Sequence, residues 1–225
     1  MNRLPDELQR LYPRSDPSAE PSALVLGVSG PSAWQSLVAV WKGVQSDLGL
    51  PAPAITVNGR NGLQLWFSLQ QPVGSGPGQA FLDGLCRRYL ADLPASRIST
   101  VAAPVPALQP DTGVWSAFIA PDLAPVFEDT PWLDSQPGDD GQAGLLARLQ
   151  RMPLAAFEAA LAALVGASAA PGPVASEAAP ARPKGDPPAD AARQFLLGVM
   201  NDGNAPLALR IEAAKALLLP QQPAG

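Results

Sequence analysis

Few residues in this chain could carry chemistry. The 225 residues include no histidine, which removes Ser-His and Cys-His nucleophile pairs, imidazole bases and nearly every zinc site. Cys86 is the only cysteine, so no internal disulfide can form. The neighbouring Arg87 and Arg88 would lower its pKa if it were exposed, but its apolar helical position suits a buried, inert thiol. One compact polar set stands out: Asn58, Arg60 and Asn61 in an Asn/Gly loop, then Gln64 and Trp66 on the segment that follows. A guanidinium and amides can hold a phosphate or a base edge, and an indole can stack on a base. The same residues also suit a tight turn, a solvated cation and a sheet cover. Between 98 and 147 there are seven acids and no Lys or Arg, without calcium-loop spacing, and they read as solvated charge. Gly74 to Gly78 lacks the Gly-Lys-Ser/Thr ending of a phosphate-cradling loop.

The elements that would position these groups follow from periodicity. Ala23 to Val28 is a continuous apolar run ended by Ser29-Gly30-Pro31 and reads as a buried strand. Ser32 with Gln35 forms a capping-box pattern, after which Trp34, Leu37, Val38, Trp41, Val44 and Leu48 share a helical face over 33–48, stopped by Gly49. Ala54 to Val57 and Leu63 to Leu69 flank the Asn/Gly loop as a hairpin, the second strand alternating Leu63, Leu65, Phe67 and Leu69 with Gln64, Trp66 and Ser68. A second amphipathic helix is expected over 79–90, strands at Ile98 to Val105 and Trp115 to Ile119, and a helix pair from Gly141 to Val165 broken at Met152-Pro153. The fold class is α+β, a mixed or antiparallel sheet with helices packed on it.

Four segments are expected. Residues 1–22, with four prolines, read as an extended arm outside the core, with a short helical turn near Asp6 to Leu11. Residues 23–165 form the α+β domain. Residues 166–190 hold six Pro, eight Ala and three Gly, a composition that cannot offset ordering entropy and predicts a disordered linker. Residues 191–219 suggest a helical hairpin whose Phe195, Val199, Leu209, Ile211 and Leu217 need a partner to cover them.

A net charge of −5 and a pI near 4.7 argue against a broad grip on nucleic acid. The acids and proline at the N-terminus do not suit a signal peptide, and no apolar run is long enough to span a bilayer. A cytoplasmic protein is the expectation, and 12 Arg against 3 Lys in an Ala/Pro-rich chain suggests a high-GC bacterial source.

The stretches Leu24-Val25-Leu26-Gly27-Val28-Ser29-Gly30 and Val57-Asn58-Gly59-Arg60-Asn61-Gly62-Leu63-Gln64-Leu65-Trp66-Phe67, with Pro72-Val73 after them, resemble the core of the archaeo-eukaryotic primase and primase-polymerase superfamily. That resemblance implies a strand bearing an acid-x-acid pair for two metal ions and a strand bearing a phosphate-contacting histidine. Here Gly27 and Ser29 stand at the acid positions and Gln64 at the histidine position. Without those charges the two-metal reaction has no ligands. The expectation is therefore a degenerate, non-catalytic primase-like domain that needs no cofactor. It would act through protein contacts made by the C-terminal hairpin, with a tie to replication or mobile elements. One alternative is a nucleotidyltransferase with relocated ligands such as Asp83 or Asp111. Another is a single-stranded nucleic-acid-binding accessory protein that uses Arg60 and Trp66.

Overall fold

The computed structural model describes residues 3–13 and 20–169. The chain divides into units Met1–Pro173 and Val174–Gly225. The hairpin, with Phe195, Val199, Leu209, Ile211 and Leu217, and all but the first residues of the linker lie outside the described residues.

In chain order the elements are α1 (Leu4–Leu11), β1 (Ala23–Ser29), α2 (Ala33–Ser46), β2 (Ala54–Val57), β3 (Gly62–Ser68), α3 (Ser75–Tyr89), β4 (Ile98–Ser99), β5 (Ala107–Leu108), β6 (Trp115–Ile119), α4 (Asp139–Leu146) and α5 (Leu154–Ala169). The fold is α+β. Its six strands lie in the order β4-β1-β3-β2-β6-β5, and every pairing is antiparallel. β1 pairs with β3 along its whole length, Gly27 opposite Gln64 and Ser29 opposite Gly62.

Alternation along the strands sorts their side chains onto two faces. Leu24, Leu26, Val28, Ile55, Val57, Leu63, Leu65 and Phe67 pack against α2, α3 and α5 through Leu37, Val40, Phe81, Leu85, Phe157 and Leu164. The Phe67 and Phe81 rings meet edge to face at 5.5 Å between centroids. Helices α2 and α3 thus share one side of the sheet, as their apolar spacing expects. Gly78 lies so close to β1 that a Cβ would come within 2.9 Å of Leu24 Cδ2, which lets the start of α3 settle on the sheet.

The opposite face is also covered. Val25, Ala54, Trp66 and Phe118 pack under Leu4 and Leu11 of α1 and under Ala143 and Leu146 of α4. Helix α1 is therefore part of the core and not of an arm outside it. Leu4 and Leu11 lie seven residues apart on one face of α1, and burying them offsets the ordering of a short helix. Arg10 fastens α1 to α4, its guanidinium donating to the carbonyls of Leu146 (2.8 Å) and Leu149 (3.1 Å) at the helix end.

Other boundaries differ from the sequence expectation. Ser32 sits in the left-handed region (φ 57°) and makes no side-chain cap, so no capping box forms. A remote carboxylate does that work: Glu128 accepts from the Gln35 N–H at 3.3 Å and from Gln35 Nε2 at 3.4 Å. Helix α3 begins at Ser75 rather than near 79, because Pro77 falls in the first turn, where its missing N–H costs nothing. The strand expected over Ile98 to Val105 is only Ile98–Ser99. Beyond it, residues 100–106 leave one edge of the sheet and cross the α1/α4 face to β5 at the other, the two prolines there disfavouring a longer ladder. Helix α5 runs to Ala169, four residues into the stretch read as linker, carried by alanines that favour helix.

Candidate functional site

The hairpin between β2 and β3 is built by its own side chains. The Asn58 Oδ1 accepts from the backbone N–H groups of Arg60 (2.9 Å), Asn61 (3.0 Å) and Gly62 (3.0 Å). Three converging amides would otherwise form an anion-binding nest; here the asparagine carbonyl fills it. Asn58 Nδ2 donates to Asn61 Oδ1 at 3.4 Å. Gly59 has φ +70° and packs so tightly that a Cβ would lie 2.6 Å from Gln109 Cγ, and its N–H donates to Pro131 O at 3.0 Å. Arg60 reaches across to the β5–β6 turn, with Nη2 2.9 Å from Asp111 Oδ2 and Nε donating to Gln109 Oε1 at 3.2 Å. Both ion-pair partners are more than half exposed, so the pair orients the guanidinium without adding much stability.

The other sequence-selected positions lie on the α1/α4 face. Gln64 is buried; its Nε2 donates to Val101 O and its Oε1 accepts from the Trp66 indole N–H, both at 3.3 Å. Trp66 is enclosed, with the Tyr12 ring edge-on at 5.3 Å and Phe118 at 6.2 Å. Arg60 and Trp66 are therefore not brought together on one open surface. A Cβ on Gly27 would lie 3.1 Å from Gln64 Cγ and 3.5 Å from Ser99 O, so an acid there would press its charge toward a carbonyl.

At the end of β1 the local charge is positive. Arg97, in the single turn Ala95–Arg97 before β4, donates from Nε to Ser29 O at 2.7 Å and from Nη2 to Pro31 O. Ser29 Oγ returns a bond to Arg97 O at 3.2 Å. A guanidinium thus spans the turn after the two positions where the resemblance puts metal-binding acids.

No family model, curated protein or solved structure matches the chain. The site must be judged on its own chemistry. Among the described residues no group of three or more Cys, Asp or Glu side chains is placed to hold a metal ion. Asp83 lies on α3, against the other face of the sheet, and accepts from Gln79 Nε2 at 2.8 Å. Asp111 is the partner of Arg60. Cys86 is half-buried, and burial together with Asp83 pushes its thiol above the ordinary value against the opposing pull of Arg87.

Three further polar groups, those of Ser68, Ser116 and Gln142, hold the segments on the α1/α4 face. Ser68 Oγ donates to Leu11 O at 2.6 Å. Ser116 Oγ bridges Pro104 O and Ala107 O at 3.3 and 3.2 Å. Gln142 on α4 lays its carboxamide along β6 beyond the end of β5, accepting from Phe118 N–H at 2.8 Å and donating to Phe118 O at 3.0 Å. It thus completes the ladder that two-residue β5 leaves unfinished. Sequence reasoning missed Arg97, Gln142 and Tyr12, because each acts across long sequence separations that no local period marks. Among the described residues no helix is long and apolar enough to cross a membrane.

Proposed function

We propose that this chain is a non-catalytic, primase-like α+β domain that works by binding another protein, with the 191–219 hairpin as the recruiting element. The observation that carries the reading is Arg97 at the end of β1. Two-metal nucleotidyl transfer needs two carboxylates, close together and open to a triphosphate, to offset the charge of the ions. The corresponding residues are Gly27 and Ser29, and the cation beside them is pinned to the carbonyls of Ser29 and Pro31. A fixed positive charge there opposes a divalent ion. The face bearing Gly27 and Gln64 is further closed by α1, α4 and residues 100–106, whose bonds are made to that face's own polar groups.

The reading is tested by nucleotide-incorporation assays and by Mg²⁺ and Mn²⁺ titration of the full chain, where neither incorporation nor saturable metal binding is expected. Template-dependent incorporation abolished by Asp83→Ala or Asp111→Ala would replace it with an enzyme whose ligands have moved. Crosslinking of the purified chain to its binding protein through the hairpin, lost in Phe195→Asp, is the positive counterpart.

A further inference from the structure

Away from the positions discussed above, the end of the sheet where β2 begins and β6 ends contains a small cavity of about 230 Å³. Its walls are apolar, with Trp41, Phe118, Ile119 and Leu146 among them, the last three buried core residues. Two opposite charges share its lining, Asp122 just after β6 and Arg148 just after α4, and both residues are exposed. Neither has an ion-pair or hydrogen-bonding side-chain partner among the described residues, although both belong to the same pocket. Arg10 already takes the carbonyl of Leu146, the last residue of α4, and that of Leu149 beyond it, which weakens the repulsion of an anion at this helix end.

We propose that this cavity binds a free α-amino acid with an apolar side chain. An α-amino acid carries its ammonium and carboxylate on one carbon and projects its side chain away from both. That arrangement matches an apolar hollow whose lining includes one cation and one anion. Arg148 pairs with the carboxylate, Asp122 pairs with the ammonium, and the side chain packs against Trp41 and Phe118. The volume equals that of about eight waters at ~30 Å³ each, room enough for a side chain of leucine or phenylalanine size. A neutral apolar molecule would fill the hollow and leave both charges of its lining unused. The inference is independent of any likeness to primases, since none of its residues lies at a position used in that comparison.

Calorimetric or NMR titration of the full chain with L-leucine and L-phenylalanine tests it. Saturable one-to-one binding is expected, weakened at least tenfold by Arg148→Gln and at least tenfold by Asp122→Asn, two exposed substitutions that leave the core intact. N-acetyl-L-phenylalanine, which lacks the ammonium, and L-phenylalaninamide, which lacks the carboxylate, should each bind at least tenfold more weakly than L-phenylalanine. No saturable binding of either amino acid, equal binding of the blocked derivatives, or affinity unchanged in both variants would overturn the proposal. None of these outcomes depends on whether the chain incorporates nucleotides.

Discussion

The two faces of the central sheet are closed by different physics. On the α2/α3/α5 face, alternate leucines, valines and phenylalanines interdigitate with three helices. The non-directional gain from apolar burial does the work there. On the α1/α4 face the strands contribute Thr56, Gln64, Ser68 and Ser116 beside Trp66 and Phe118. The covering segments are short there, and directed hydrogen bonds from Ser68, Gln64, Ser116 and Gln142 fix them. A polar face of a sheet invites reading as a ligand site. In this molecule Gln64, Ser68 and Ser116 hold the chain's own backbone, while the Thr56 hydroxyl finds no partner among the described residues, and the contrast shows that buried polar residues are informative only once their partners are named.

The largest effect expected is on the apolar face. Phe81 is fully buried between Phe67 and Phe157. Phe81→Ala should cost about 3–5 kcal/mol in denaturant unfolding, through lost transfer energy and a cavity. A loss below about 1 kcal/mol would mean that this face is not the principal core.

On the other face Gln142→Leu keeps the side-chain bulk and removes both bonds to Phe118. The expected cost is about 1–3 kcal/mol for each backbone group left without a partner, with faster amide exchange at Phe118 than at Thr56 opposite it. If exchange at Phe118 is unchanged, the carboxamide does not complete the sheet edge.

Tyr12 sharpens the comparison in the opposite direction. Its ring stacks on Phe118 at 6.0 Å, and its buried hydroxyl finds no partner among the described residues. Tyr12→Phe should therefore leave stability unchanged or raise it by up to about 1 kcal/mol, since an unsatisfied buried hydroxyl is removed. Burial drives the Tyr12 pKa well above its ordinary value, outweighing the lowering by Arg10. Tyr89, whose hydroxyl donates to Asp47 at 3.0 Å, is pushed up to about 12, first by burial and then by that bond. Both shifts have the same sign. Above pH ~10 the unfolded chain gives up the tyrosine protons while the folded chain keeps them, so stability falls as pH rises past that point. These are the only two tyrosines. Tyrosinate absorbance should thus rise together with unfolding, and the alkaline loss of stability should be smaller in Tyr12→Phe. A tyrosinate signal that develops near pH 10 in folded protein would contradict the burial argument.

The smallest effect concerns the hairpin loop. Asp111→Ala breaks an exposed ion pair with Arg60 and should change stability by less than about 1 kcal/mol. Asn58→Ala should cost more, because it frees three amides at once. If the order is reversed, the ion pair rather than the asparagine shapes the loop.

Much of this was legible from local pattern. The leucines of β3, the apolar run of β1, the face of α2 and the Asn/Gly hairpin each announce themselves within a dozen residues, and the β2/β3 pairing follows from the loop that joins them. What stayed hidden depends on contacts distant in sequence. The N-terminal segment reads as polar and proline-rich, and only the sheet face beneath it shows why Leu4 and Leu11 are buried. Ser32 has the composition of a cap, but the turn forces it left-handed and leaves the task to Glu128, 93 residues from Gln35. The polar candidates were found as residues, but their roles were not. Gln64 and Trp66 satisfy one another, and Asn58 fills its own nest.

The central claim is that the end of β1 holds a structural cation where a primase-like enzyme would need carboxylates. The most direct test is nucleotide incorporation by the full chain with Mn²⁺ and a primed template, run beside Arg97→Ala and Gly27→Asp/Ser29→Asp. The account predicts no product above the protein-free blank and no saturable Mn²⁺ binding from any of the three chains, since the double-acid variant keeps Arg97 and Arg97→Ala supplies no carboxylate. Template-dependent product from the natural chain would contradict it.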